Sequence, residues 1–402
     1  MSPPAGRRAL YSWALYDLAN TTFSLNVVSR YLPLLVVEDL GGRDLDVSVA
    51  YSAAMVVVAC TAPLLGALSD RSGRRVPYLA LTTTCCITAT ALMGLGKPAA
   101  LVLGLFAIAT YFYQAALVFY DALLANVSDE ATRGRASALG VGLGYGGTII
   151  SLYAIAPIAE QFGKAAAFPA TAALFLVAAL PCFLFVPDVG TGALWRPGIV
   201  GETVTRVRAT IKGLPALPGL LRFLVAHFLY ADAINTVILF MAVYATKVAG
   251  FTSPEVTRLL AASTVFAIIG AFGAGPLVDR FGAKQALYVA LAFWTVALAL
   301  AGFASGKAAL WVVGPIMGTG LGATWAADRV LMFRLSPPAR LAELYGIYGM
   351  VGRFAAITGP LVWGGVVYAL EDHGALAYRA AILSLLAMLL AGAWVLRRVP
   401  LR

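Results

Sequence analysis

The sequence predicts an all-α membrane protein: twelve transmembrane helices arranged as two pseudo-symmetric six-helix bundles. Three observations predict it. The composition is 61% hydrophobic and 12% charged, against about half apolar and about a quarter charged in soluble domains. Apolar stretches of about 20 residues, each able to cross a hydrocarbon core of roughly 30 Å, recur to the end of the chain. The second half of the sequence also repeats landmarks of the first.

In order, the first six spans are Ala9 to Val36, Val47 to Leu68, Pro77 to Leu95, Ala99 to Asp121, Arg135 to Ile158 and Ala165 to Val186. A polar interval follows. Then come Phe223 to Val248, Pro254 to Val278, Gln285 to Ala304, Ala308 to Asp328, Ala342 to Leu370 and Ala375 to Leu396. Gly and Pro within these spans are compatible with membrane helices, whose neighbours satisfy the freed backbone groups. A barrel would show alternating segments of about 10 residues, and none occur.

Lys and Arg set the expected orientation. Arg7 and Arg8, the connection with Arg71, Arg74 and Arg75, the connection with Arg133 and Arg135, the linker with Arg196, Arg206, Arg208, Lys212 and Arg222, and the tail with Arg397, Arg398 and Arg402 fall on one side. Arg280, Lys284, Arg334 and Arg340 join them, and the other side carries isolated charges such as Arg43, Lys97, Lys164 and Lys307. The positive-inside rule then places both termini in the cytoplasm, with a bacterial inner (plasma) membrane as the expected home. The net charge of +10 follows from this topology and from contact with anionic lipid, and does not argue for nucleic acid. The first apolar run lacks a small-residue cleavage site and is read as a retained helix.

The internal repeat locates the domains. GALSDRSGRR, Gly66 to Arg75, returns as GPLVDRFGAK, Gly275 to Lys284, about 209 residues later. DALLANVSDEATR from Asp121 returns loosely as DRVLMFRLSPPAR from Asp328, and the trio Asp17, Asn20, Thr21 returns as Asp232, Asn235, Thr236. Matches in the same order mark two parallel copies. The expected division is 1–187 for the first bundle, 188–221 for a cytoplasmic linker and 222–402 for the second bundle. In the linker, Val200, Val204, Val207, Ile211 and Leu214 form an apolar stripe opposite Arg206, Arg208 and Lys212, which reads as a helix lying on the membrane surface.

The loop G-x-x-x-D-R-x-G-R-R between the second and third spans resembles the signature of the major facilitator superfamily, and the whole chain fits its twelve-helix plan. SWALYDLANTTF, FYDALLANVSDEATRGRASALGVGLGYGG, FLVAHFLYADAINTV and SPPARLAELYGIYGMVGRFAAITGPL resemble the vacuole-effluxer branch, named for a fungal autophagy-related protein that releases amino acids from the vacuole. GATWAADRVL, Gly322 to Leu331, departs from the Gly-Gly-x-Gln-Ala and Ser-Arg-Ser pattern that branch tends to carry in the tenth span. The resemblance implies a secondary transporter working as a monomer, with amino acids or related metabolites as the favoured solutes.

Candidate site residues follow from charge at depth. An Asp at the centre of a membrane helix costs roughly 2.5 to 3.5 kcal/mol on the insertion scale. Asp17 lies nine residues past Arg8 and Asp232 ten past Arg222, roughly 13 to 15 Å along a helix and near the membrane middle, where paired bundles hold a solute. Each carboxylate with its Asn20 or Asn235 neighbour has a proton- or ion-binding reading and a reading as interhelical hydrogen-bonding glue. Arg353 is the one Lys or Arg well inside a span and needs a carboxylate or an anionic solute group. Tyr113, Gln114, Tyr145 and Trp325 read as cavity walls or as aromatic core. Asp121 and Asp328 fall near span ends, as helix caps or loop contacts. Gly66, Asp70, Arg71, Arg74, Asp279 and Arg280 form the expected conformational latch, through close helix approach and charge-assisted bonds.

Two histidines and four cysteines without metal-like spacing leave no raw material for a metal site or hydrolase triad, so neither metal nor cofactor is expected. His227, five residues before Asp232, is off its face and reads as a helix-packing or cytoplasm-end residue, with a proton relay as the alternative. With no G-x-x-x-x-G-K-[ST] loop, no ATP-driven step is expected on this chain. One proton moving down a potential of 100 mV supplies about 2.3 kcal/mol, enough for roughly a 50-fold gradient. The expected function is movement of a small polar solute with a coupling proton by alternating access. A sodium- or proton-coupled sugar symporter and a non-transporting membrane receptor are the alternatives.

Overall fold

The structure is a computed structural model that describes residues 6–42, 44–188, 190, 199–217, 219–303 and 306–400. Arg43, Arg196, Ala304 and Arg402, named above, lie outside the described residues. All regular structure among the described residues is helical. Ten helical segments are long and apolar enough to cross a membrane. The remaining two positions of the twelve-span plan hold Arg7–Asp39, α-helical only in part, and Lys307–Leu335. Gly314, Gly318, Gly320 and Gly322 dilute the apolar content of the latter.

The main helices are α1 (Arg7–Phe23), α2 (Asp44–Ser72), α3 (Val76–Met93), α4 (Ala99–Ala122), α5 (Arg133–Ile150), α6 (Ala167–Phe185), α7 (Ile199–Gly213), α8 (Leu220–Ala249), α9 (Ser253–Phe281), α10 (Ala283–Phe303), α11 (Lys307–Leu335), α12 (Leu341–Phe354), α13 (Thr358–Ala369) and α14 (Ala375–Arg397). Prolines explain where the helices widen. The π-helical stretches Ser24–Tyr31 and Ser151–Ile155 run directly up to Pro33 and Pro157. A proline ring clashes with the carbonyl four residues back and cannot bond to it, so the ladder locally relaxes to wider turns. The two widened stretches meet where Asn26 Nδ2 donates to Ser151 Oγ at 3.2 Å.

The eleventh span differs from the single helix expected over Ala342 to Leu370. It is broken into α12 and α13 by a turn at 355–357. Pro360 denies Ala356 a helical donor, and Gly359 supplies little helical preference. The tenth span is longer than expected, with α11 running seven residues beyond Asp328. Asp328 therefore sits two turns inside a helix. In the linker, α7 buries Thr203, Val207 and Thr210, while Val204 and Ile211 are exposed. The inward face is thus half polar, and the expected apolar stripe is divided between two sides.

Two compact units are present. One comprises Met1–Ala209 with Pro337–Ile347, the other Thr210–Ser336 with Tyr348–Arg402. In the first, α1 packs on α5 and α6, α3 on α4 and α6, and α2 on α4. Gly140, Gly144 and Gly147 let α5 approach α1 closely: a methyl at Gly147 would lie 2.7 Å from the Leu18 carbonyl oxygen. In the second, α11 packs on α9 and α10, and α8 on α14. Gly318 and Gly322 of α11 face the backbone of Ser263 and Ala267 without room for a Cβ. Small residues at such crossings are what lipid-embedded helices use to gain van der Waals contact, since lipid offers no hydrophobic drive.

Candidate functional site

In the first unit the motif SWALYDLANTTF winds into α1 and presents two layers to the interior. One layer is aromatic. Trp13 stacks on Tyr120 with centroids 4.8 Å apart, Tyr16 stacks on the other side at 4.9 Å, and the Trp13 indole donates to the Tyr120 carbonyl at 3.0 Å. Phe23 meets Tyr113 of α4 at 4.6 Å. The other layer is polar. Asp17 is 8% exposed and faces α5, where a methyl at Gly140 would come within 2.9 Å of its Oδ2. Tyr113 and Tyr145 lie within electrostatic reach of Asp17.

Asn20, one turn on from Asp17, is 4% exposed, and neither its Oδ1 nor its Nδ2 has a hydrogen-bond partner among the described residues. An amide so buried leaves desolvated donors and an acceptor unmade, each costing on the order of 1–3 kcal/mol. Natural structures keep such groups rarely and for a reason. Asp17, Asn20, Tyr113 and Tyr145 are thus brought together on three helices of one unit. Gln114 is half-buried beside Tyr113 in sequence and has partners of its own.

In the second unit Asp232 is fully buried, and the structure gives it a specific partner. Its Oδ2 accepts the Gly359 N–H at 2.8 Å, and Thr358 adds a side-chain donor. These donors belong to the first turn of α13, so the carboxylate sits where a helix start presents unmade N–H groups and positive dipole. The approach needs glycine: a Cβ at Gly359 would strike Thr236 Oγ1 and come within 2.8 Å of Asp232 Oδ1. Asn235 and Trp325 are half-buried. The Arg353 guanidinium folds back along α12, with Nη1 2.9 Å from where a Gly349 Cβ would stand.

The two signature loops differ. Asp70 accepts from Arg75 Nη2 at 3.1 Å, and its second oxygen accepts from the Glu343 N–H at 2.9 Å, at the start of α12. Gly66 abuts the Ala342 carbonyl with no room for a side chain. Arg75, rather than Arg74, is the partner in its own loop, and it reaches on to Asn126 Oδ1 at 3.1 Å. Arg74 bonds through its backbone to Ser72 Oγ. Asp188 caps the start of α3 through the N–H groups of Arg75 and Val76 at 2.9 and 3.2 Å. Arg71 pairs with Glu202 of α7. The second copy, with Asp279 and Arg280, instead borders a cavity of about 330 Å³ also lined by Lys284 and Arg334.

One cluster escaped the sequence reading. His227 Nδ1 lies 2.9 Å from Asp328 Oδ2, Tyr348 Oη donates to the same oxygen at 2.6 Å, and Tyr230 Oη donates to Asp328 Oδ1. His227 is 3% exposed, and Tyr230 and Asp328 are fully buried. Two signals pointed this way: His227 and Tyr230 share a helix face at i, i+3, and an Asp stood in an otherwise apolar span. Taking the span to end at Asp328 hid the second.

A sequence profile for vacuole effluxer Atg22-like proteins matches residues 126–402, more than half of the chain. The chain belongs to this family. This Atg22-like protein is 27% identical over 372 residues to the uncharacterized MFS-type transporter YxiO of Bacillus subtilis (strain 168), a match covering 87% of this chain and 86% of that one. In structure it is similar to the human organic anion transporter MFSD10 (TETRAN), with a TM-score of 0.77 at 16% identity over 98% of this chain and 100% of that one. It is also similar to a bacterial homologue of the iron transporter ferroportin, with a TM-score of 0.72 at 15% identity over 97% and 98%. At these identities the structural likeness establishes the fold. The Atg22-like chain is a multi-pass integral membrane protein and an MFS-type transporter; its relatives are transporters rather than enzymes. His227, Asp232, Asp328 and Arg353 lie within the profile match, whereas Asp17 and Asn20 precede it.

Proposed function

We propose that this Atg22-like transporter moves a small polar solute, an amino acid or related metabolite, by alternating access linked to a proton. The observation that carries the reading is the Asn20 amide, buried beside Asp17 with every polar atom unmade. A solute carrying both donors and acceptors would complete those bonds, while Asp17 engages its cationic group and the Tyr113 and Tyr145 rings wall it in. Asp232 supports the second repeat by holding the start of α13, so the two halves of the D-x-x-N-T repeat have diverged in their work. Arg353, a cation inside a span, is the group we assign to a solute carboxylate.

The Gly66 and Asp70 contacts to Ala342 and Glu343 act as the latch, closing one end of the transporter around a segment from the second half of the sequence. The surplus of Lys and Arg in one set of connections supports cytoplasmic termini, and we read the transporter as a monomer of a bacterial plasma membrane.

The test is a solute screen on purified protein in liposomes, with and without an imposed pH gradient. Saturable flux of amino-acid-like solutes that responds to the gradient supports the reading. No flux of any solute under either condition, in protein shown to be folded, points instead to a non-transporting receptor.

A further inference from the structure

We propose that His227 and Asp328 form a one-proton site inside the second unit, and that this site is what makes the transporter respond to pH. The geometry carries it. The imidazole and carboxylate are 2.9 Å apart at Nδ1 and Oδ2, with residue exposures of 3% and 0%. The remaining capacity of the carboxylate is taken by the hydroxyls of Tyr230 and Tyr348.

With a neutral imidazole, the His227–Asp328 pair carries a net negative charge in a low-dielectric interior, a costly arrangement. Adding one proton to the ring gives a neutral ion pair. The proton comes from solvent and returns to it, so no other reactant is required. A metal ion is a poorer occupant, because both oxygens already accept hydroxyls and only one imidazole is present.

Aromatic rings surround the imidazole, and Arg329 follows Asp328 on α11. Phe223 and Tyr348 flank the ring at 6.1 and 4.3 Å, and Tyr230 stands edge-on at 5.5 Å. The Nε2 side faces Gly352 of α12, where a methyl would lie 3.3 Å away. Arg353, the nearest cation on α12, turns toward Gly349. α14, α13 and α9 also pack on α8: on α14, Gly392 stands against Tyr230 and Ala226, and the cations Arg397 and Arg398 lie at the helix end; α13 carries Tyr368, and α9 carries Glu255, Arg258, Asp279 and Arg280 toward its two ends. Asp232 is more than a turn further along α8 and is engaged by Gly359. Proton occupancy of the pair would therefore be read directly by α11 and α12 through Asp328 and Tyr348.

The link to transport rests on the function proposed above; the proton site does not. The chain has two histidines, and His373 lies exposed in the turn Glu371–His373, so ¹⁵N-histidine labelling of the full-length protein gives one site signal and one internal control. His227→Gln assigns the pair. The expected result is that the His227 signal passes between imidazolium and imidazole within the pH window over which the protein stays folded. In Asp328→Asn the signal is expected to remain imidazole throughout. A native His227 signal that does not change across the window overturns the proposal, and so does an Asp328→Asn signal that titrates as the native one does. The native measurement decides the matter even where Asp328→Asn fails to fold. A His227 that switches in protein moving no solute sustains the proton site and removes the transport reading; gradient-driven flux with a silent His227 does the reverse.

Discussion

At the residue scale, one motif repeated in sequence has acquired two jobs. Asp17 stands beside an unmade amide, and Asp232 caps a helix. Asp232→Ala should leave the Gly359 N–H buried without an acceptor, at a cost of about 1–3 kcal/mol, lowering the thermal unfolding temperature. Asp232→Asn keeps an acceptor oxygen and should cost less. Asp17→Asn should leave the unfolding temperature unchanged and weaken the binding of a solute with a cationic group; unchanged binding would return Asp17 to interhelical glue. The pairing of Asp and Asn was legible because charge inside an apolar run is expensive. The difference between the two copies was not, because it depends on Gly359, more than a hundred residues away in the sequence.

At the element scale, prolines and glycines decide where helices widen, break and touch. Gly359→Ala should drive a methyl into Thr236 Oγ1, and overpacking of this kind costs about 1–3 kcal/mol, again read as a lower unfolding temperature. The start of α9 offers a pH-dependent case. Lys307 at 2.7 Å, with the Thr252 N–H, holds the Glu255 carboxyl down to about 2. A depressed carboxyl stabilises the fold above its unfolded value of about 4.3 and loses that contribution as pH falls toward about 2. Glu255→Gln should therefore unfold earlier than the native chain at neutral pH, with the gap closing as pH falls through that interval. The spans themselves were readable from hydropathy. The break between α12 and α13 and the extra turns of α11 were not, since an unbroken apolar run and a polar helix end look alike to a hydropathy window. That misreading left Asp328 at a presumed helix end and hid its partnership with His227.

At the scale of the whole molecule, the repeat predicted a pair of six-helix bundles, and the family and structural likeness establish an all-helical MFS-type fold. In the first copy of the repeat Asp70 binds Arg75 and the start of α12, and in the second Asp279 lines a cavity with Arg280, Lys284 and Arg334. Asp70→Ala should cost about 0.5–2 kcal/mol as a lost helix cap, and it should also change the rate of solute exchange if the latch governs opening. The site was half legible for the same reason. Sequence marks which residues are costly to bury, whereas only the fold shows which of those costs are repaid by protein partners and which are left for a ligand.

The Asn20 amide carries that distinction. Its most direct test is the affinity of a transported solute for the native chain and for Asn20→Ala, measured side by side in folded protein. The account predicts a loss of about 10- to 100-fold with an unfolding temperature that does not fall, since the substitution also removes an unmade buried amide. Equal affinity in the two proteins would contradict it.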